Sequence, residues 1–191
     1  FRQTANQKSS AICGAGFFLY FSYALSRSPI IPLYAKSLGA SPLMIGTAVA
    51  ASTITGIFVK MPSGIFSDIV GRRTVLITGS FFFAFTPFFY PIVSSIIILI
   101  IIRLLHGNAT AIFGPTVSAT ISDIADKNNR GVQLGFFSSV QGVGQTLGTL
   151  LGGFLISYQG FGFSFLASGF IGAAGLLLVL FLHKKDEKHE R

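Results

Sequence analysis

The sequence predicts an all-α membrane protein with six transmembrane helices, and three observations carry that prediction. Of its 191 residues 51% are hydrophobic and only 10% charged, a balance foreign to soluble domains, which need polar groups over most of their outside. The apolar residues fall into six long runs, each near or above the roughly 20 residues that a helix needs to cross a bilayer. The Lys and Arg residues gather in alternate interruptions between the runs, as in a chain held by positive charge on one face of the membrane.

The first run covers about residues 11–36 and stops at "SLGASP" (37–42), a cluster of small and turn-forming residues. The second, about 42–66, ends at the charged island that contains "SDIVGRR". The third, about 74–93, closes on "YPIVSS" (90–95), and the fourth, about 95–120, runs into "SDIADKNNRG" (122–131). The fifth and sixth, about 132–157 and 161–183, are separated by "SYQGFG" (157–162). Residues 184–191 then read as a charged cytoplasmic tail or the start of a central linker. Internal prolines at 29, 32, 62, 87, 91 and 115 are tolerable, because neighbouring helices re-satisfy the freed backbone groups.

Arg2, Lys8, Arg72, Arg73, Lys127, Arg130, Lys184, Lys185, Lys188 and Arg191 all fall at the N-terminus, in the second or fourth interruption, or in the tail. The other three interruptions contain no Lys or Arg, and only Lys36 lies close to one. Both termini and both charged loops are therefore expected in the cytoplasm. The basic residues behind the net charge of +8 are not gathered on an amphipathic helix or interleaved with aromatics in a polar domain, so nucleic acid is not an expected partner. One cysteine, Cys13, excludes an internal disulfide, and no Cys/His cluster has metal-ligand spacing. No cofactor is expected.

Three motifs stand out. The island reads Gly64-x3-Asp68-x2-Gly71-Arg72-Arg73: glycines suit a tight turn, and Asp68 can accept bonds from Arg and backbone N–H groups. The fourth run contains Leu99-x3-Arg103-x2-His106-Gly107, with an arginine well inside apolar sequence, which is expensive and points to function. The fifth contains Gly135-x8-Gly144-x3-Gly148-Thr149-x2-Gly152-Gly153, whose glycines form a flat strip for close helix packing.

These motifs resemble, in order, the loop signature, the Arg-bearing motif and the antiporter motif of the major facilitator superfamily of secondary transporters. His106 stands where that family has Gln, and Thr149 where its drug-proton antiporters have Pro. The resemblance covers the whole chain and is closest to drug:proton antiporter-like members. It implies that residues 1–191 form one N-terminal-type six-helix bundle, a three-plus-three inverted repeat. A second six-helix half is then expected, in the same chain, in a partner chain or as a homodimer. Membrane lipid and a small-molecule substrate complete the expected partners, and the cell membrane is the expected location.

Asp68, Arg72 and Asp123, with Gly64, Gly71 and Arg73, are expected by this resemblance to form a cytoplasmic gate. Helical spacing sets Tyr20, Tyr23 and Arg27 on one face of the first run, and Arg103, His106 and Thr110 on one face of the fourth. The resemblance implies that these two helices line a central cavity, so both sets, with Phe113, are candidates for a substrate or coupling path. Ser138, Gln141 and Gln145 repeat the spacing on the fifth run, where bonds between helices are an equal alternative. Lys60 is read as snorkelling toward the cytoplasm, and the aromatics 81–83 and 161–165 as mostly lipid-facing or interfacial packing.

No Asp or Glu lies inside a run, so the usual carboxylate proton carrier is absent. His106 is the only side chain there whose ordinary titration range includes neutral pH. Either coupling to a proton or other ion gradient resides in a second half, or it uses His106 with Arg103, or transport is uncoupled. The functional expectation is a secondary active transporter of a small solute, such as a drug or metabolite exporter working by alternating access. The alternative is a non-transporting membrane scaffold or assembly subunit of the same fold. An enzyme is not expected, because no nucleophile motif accompanies His106.

Overall fold

The computed structural model describes residues 2–187, with side chains from residue 9 to residue 182. Regular structure among them is helical throughout: α1 (Arg2–Arg27), α2 (Ile30–Ser37), α3 (Pro42–Val70), α4 (Arg72–Phe85), a 3-10 helix (Thr86–Ile92), α5 (Ile96–Ile124) and α6 (Arg130–Glu187). Of the expected tail 184–191, residues 188–191 lie outside the described residues. Five stretches are long and apolar enough to cross a membrane: Ser9–Ser37, Pro42–Val70, Arg72–Ile92, Ile96–Ile124 and Arg130–Leu182.

Each departure from the six expected runs has a local cause. The first run is interrupted at Ser28 and Pro29, between α1 and α2, where proline brings no backbone N–H and its ring crowds the residue before it. In the third run the helix tightens after Phe85 into the 3-10 segment carrying Pro87 and Pro91, again where donors are missing. Ser41 and Ser95 cap α3 and α5, each accepting a backbone N–H three residues on. The fifth and sixth runs fall within the single stretch α6, interrupted at Gly160 (φ 78°, ψ −178°).

That interruption is a reversal of direction. On the first arm of α6, residues 130–159, Gly144, Gly148 and Gly152 meet Phe17, Phe21 and Leu25 in rising order, so this arm runs parallel to α1. On the second arm, Ser168 bonds Ser22 and Gly175 meets Leu19, in falling order. Straight, the 58 residues of α6 would extend about 87 Å; folded at Gly160, both arms flank the same two turns of α1. The positive φ at Gly160 explains why glycine stands there.

Contacts between helices are close, and polar bonds cross them. A Cβ at Gly107 would fall 2.5 Å from the Ser52 carbonyl oxygen, one at Gly79 2.9 Å from Phe113 Cβ, and one at Gly172 2.6 Å from the Phe83 carbonyl oxygen. Small residues at these crossings let backbones approach and gain dispersion contacts that lipid cannot match. Ser22 Oγ donates to the Ser168 carbonyl and Ser168 Oγ to the Ser22 carbonyl, both at 2.8 Å. Ser63 Oγ likewise donates to the Ala111 carbonyl at 2.8 Å, tying α3 to α5. Against the expectation for residues 81–83 and 161–165, Phe83 and Phe165 are fully buried, while Phe81 and Phe163 are exposed.

Candidate functional site: a cationic cavity and an ion-pair bridge

A cavity of about 550 Å³ opens between α1, α3, α5 and the first arm of α6. Tyr20, Tyr23 and Arg27 line it from α1, Thr110 and Ser118 from α5, and Ser138, Gln141 and Gln145 from α6. Six of the nine path candidates thus share one cavity. A smaller cavity of about 230 Å³ adjoins it, sharing Tyr23, Arg27 and Gln145 and adding Thr149.

Arg103, His106 and Phe113 do not line either cavity. Phe113 packs edge-on against Tyr20 and Phe83 in the core. Arg103 is fully buried; its Nε donates to the Ala48 carbonyl at 3.2 Å and its Nη2 to Ser52 Oγ. His106 is also fully buried, with Nδ1 3.0 Å from the Tyr90 hydroxyl and its ring 4.8 Å from that of Tyr23. Arg103 Nη1 and His106 Nε2 have no hydrogen-bond partner. The shared helical face survives only for Thr110, because the long Arg103 side chain turns to α3 and Tyr23 covers His106.

α3 supplies a cavity wall of Ser52, Thr53, Gly56, Ile57 and Lys60, of which the sequence reading had assigned none to the path. Lys60 leans along α3 toward Gly56, away from the Asp68 end of that helix. Side chains on a helix lean toward its N-terminus, and Lys60 lies back over Gly56, its Cε 3.8 Å from where a Cβ would stand. Glycine four residues earlier leaves the lysine stem room, and that Gly56-x3-Lys60 pair was the available signal. Tyr90, the partner of His106, carried no signal, since no spacing rule relates the 3-10 helix to α5.

At one end of the bundle, Arg72 Nη1 lies 2.6 Å from Asp68 Oδ1 and Arg72 Nε 3.1 Å from Asp123 Oδ2. Arg72 also donates to Ser67 Oγ. One arginine thus joins the end of α3, the start of α4 and the end of α5, bridging two carboxylates through separate N–H donors of its planar guanidinium. Gly71 makes the turn with φ 101°. Gly64, by contrast, is helical, and a Cβ there would meet nothing, so within this chain it serves neither turn nor close approach. Arg73 follows Arg72, exposed, in the first turn of α4.

The glycine motif of the fifth run divides in the same way. A Cβ at Gly144 or Gly152 would fall 2.9 Å from the carbonyl oxygen of Phe17 or Leu25, and one at Gly148 closer still to that of Phe21. Gly135 faces open space and Gly153 is in ordinary contact with Pro29. The strip is therefore the three residues 144, 148 and 152, pressed on the α1 backbone.

The family model described as Major Facilitator Superfamily matches residues 12–191. The chain belongs to the Major Facilitator Superfamily. As a member of it, with these apolar helices, it is an integral multi-pass membrane protein. It is 30% identical over 151 residues to an uncharacterized MFS-type transporter of Methanocaldococcus jannaschii, covering 79% of this chain and 39% of that protein. It is 30% identical over 162 residues to multidrug resistance protein 1 of Bacillus subtilis, covering 85% and 42%. It is 25% identical over 169 residues to quinolone resistance protein NorA of Staphylococcus aureus, covering 84% and 42%. The chain thus spans about two-fifths of the length of these curated relatives. Among the described residues of this Major Facilitator Superfamily chain, polar groups concentrate in the cavity, at the Arg72 bridge and around buried Arg103 and His106.

Proposed function

We propose that the chain is one six-helix half of a secondary active transporter that moves a small solute by alternating access, as in drug or metabolite efflux. Both termini lie in the cytoplasm in this reading, and the Gly160 reversal supplies the sixth crossing of the cell membrane. The observation that carries it is a polar cavity of about 550 Å³ walled by α1 and α6 on one side and α3 and α5 on the other. A cavity of this size suits a small organic molecule, and walls from both halves of the repeat suit a site about which bundles rock. The names of the Bacillus subtilis and Staphylococcus aureus relatives support efflux.

The Asp68–Arg72–Asp123 bridge is the latch of one conformational state, because exposed ion pairs can be made in one state and lost in the other. Flux is coupled to a proton or other ion gradient. A second half, in the same chain, a partner chain or a second copy, covers the open face of the cavity; exposed Phe58, Met61 and Ile69 on α3 suit contact with it and with lipid. The test is reconstitution of the naturally encoded polypeptide into vesicles, with fluorescent aromatic dyes offered with and without a pH gradient. Gradient-dependent flux, slowed in Asp68→Asn with insertion unchanged, is the expected result. Absence of flux for every dye in both directions overturns transport.

A further inference from the structure

The cavity contains two cationic side chains, Arg27 and Lys60, and no carboxylate. The chain has only six acids, and the first three, Asp68, Asp123 and Asp126, lie at the loops while the others lie at 186, 187 and 190. Among the described residues neither Arg27 nor Lys60 has a carboxylate within ion-pair distance. Arg27 is held against the wall by Tyr23, its Cζ 5.7 Å from the ring centroid. Lys60 lies back over Gly56 and lines the same space.

Two like charges on the walls of one low-dielectric recess add their fields, and the recess focuses them. A cation entering meets repulsion from both; an anion cancels them and gains charge-assisted hydrogen bonds from ammonium and guanidinium. Tyr20, Tyr23 and Phe137 line the same cavity, with Tyr23 next to Arg27, and Gln141 and Gln145 offer amides to orient a polar group. From this juxtaposition we infer that the cavity selects small organic anions, aromatic carboxylates by chemical class, with the carboxylate held between Arg27 and Lys60. The inference rests on the reading of this cavity as the solute path.

Binding of 1-naphthoate, 1-naphthamide and 1-naphthylmethylammonium to the purified, naturally encoded polypeptide tests it. One charge-assisted bond is worth about tenfold in affinity, so naphthoate should bind at least about tenfold more tightly than the ammonium probe. Lys60→Gln should erase most of that preference and Lys60→Arg should keep it. A preference that is absent, inverted or unchanged in Lys60→Gln overturns the inference, as does failure of naphthoate to bind. If Lys60→Gln does not fold, Thr53→Cys reads the same field with Lys60 in place, since Thr53 is exposed on the cavity wall. A negatively charged thiosulfonate should modify it at least about fivefold faster than a positively charged one, after normalisation to a free small thiol; equal or inverted rates overturn the inference. Flux of the three probes separates the two readings. Naphthoate binding without flux counts against transport and leaves the anion site standing, whereas flux of the ammonium probe without anion preference does the reverse.

Discussion

Arg72 Nε stands 3.1 Å from Asp123 Oδ2, joining residues 51 positions apart and so fastening the start of α4 to the end of α5. Both carboxylates that Arg72 meets are more than half exposed, and exposed pairs contribute little static stability, about 0–1 kcal/mol. Asp123→Asn is therefore expected to shift the unfolding midpoint only slightly while changing flux several-fold. Arg72→Lys should fall between wild type and Arg72→Gln, because an ammonium cannot reproduce the two-sided fork. Thermal unfolding in detergent and vesicle flux check the pair; equal loss in both readouts would mean that the bridge is merely structural.

Glycines of one motif should respond oppositely to the same substitution. Gly148→Ala places a methyl against the Phe21 backbone carbonyl, and overpacking of this kind costs about 1–3 kcal/mol. Gly135→Ala meets open space and should be neutral or stabilising by about 0.5–1 kcal/mol through helix propensity. Unfolding midpoints of the two variants in one detergent give the comparison.

Tyr90→Phe removes the hydroxyl from His106 Nδ1, leaving a buried imidazole with neither nitrogen bonded. The expected loss is about 1–3 kcal/mol. Tyr90→Phe combined with His106→Leu should cost less than the sum of the two single changes, since an apolar pair leaves no polar group stranded. Additive losses in this double-mutant cycle would argue against coupling through the bond.

The reversal at Gly160 makes a topological prediction. A cysteine at Gln159 should react with a membrane-impermeant maleimide from outside the cell, and one at Lys127 only after the cytoplasmic side is opened. Cys13, at 4% exposure, should stay unlabelled in either case. Labelling of both engineered sites from one side would remove the sixth crossing.

Much of this arrangement was legible because membranes simplify the rules. Apolar length marks the spans, and positions such as Gly71 and Gly160 announce turns that need positive φ. Helical spacing set Tyr20, Tyr23 and Arg27 on one face of α1 and Gln141 and Gln145 on one face of α6, and all five line the cavity; the family resemblance, not the spacing, put a cavity beside α1. Spacing does not reveal which way a long side chain turns, so it missed Lys60 on the cavity wall and Arg103 off it. Lys60 followed the N-terminal lean of helical side chains over Gly56, and Arg103 was drawn to the Ala48 carbonyl and Ser52. In the same way, apolar sequence says nothing of which phenylalanine meets lipid, so buried Phe83 and exposed Phe81 look alike in the chain.

The clasp of α1 by both arms of α6 orders the events of synthesis. Ser22 and Ser168 exchange their bonds across 146 positions, and the glycines that cradle Phe17 to Leu25 begin only at Gly144. α1 therefore leaves the ribosome well before the two arms that enclose it. Until both arms of α6 emerge, the serines of α1 and Arg27 need the shelter of lipid headgroups, water or the insertion machinery, and a chain cut short before Gly144 would leave α1 an orphan for quality control.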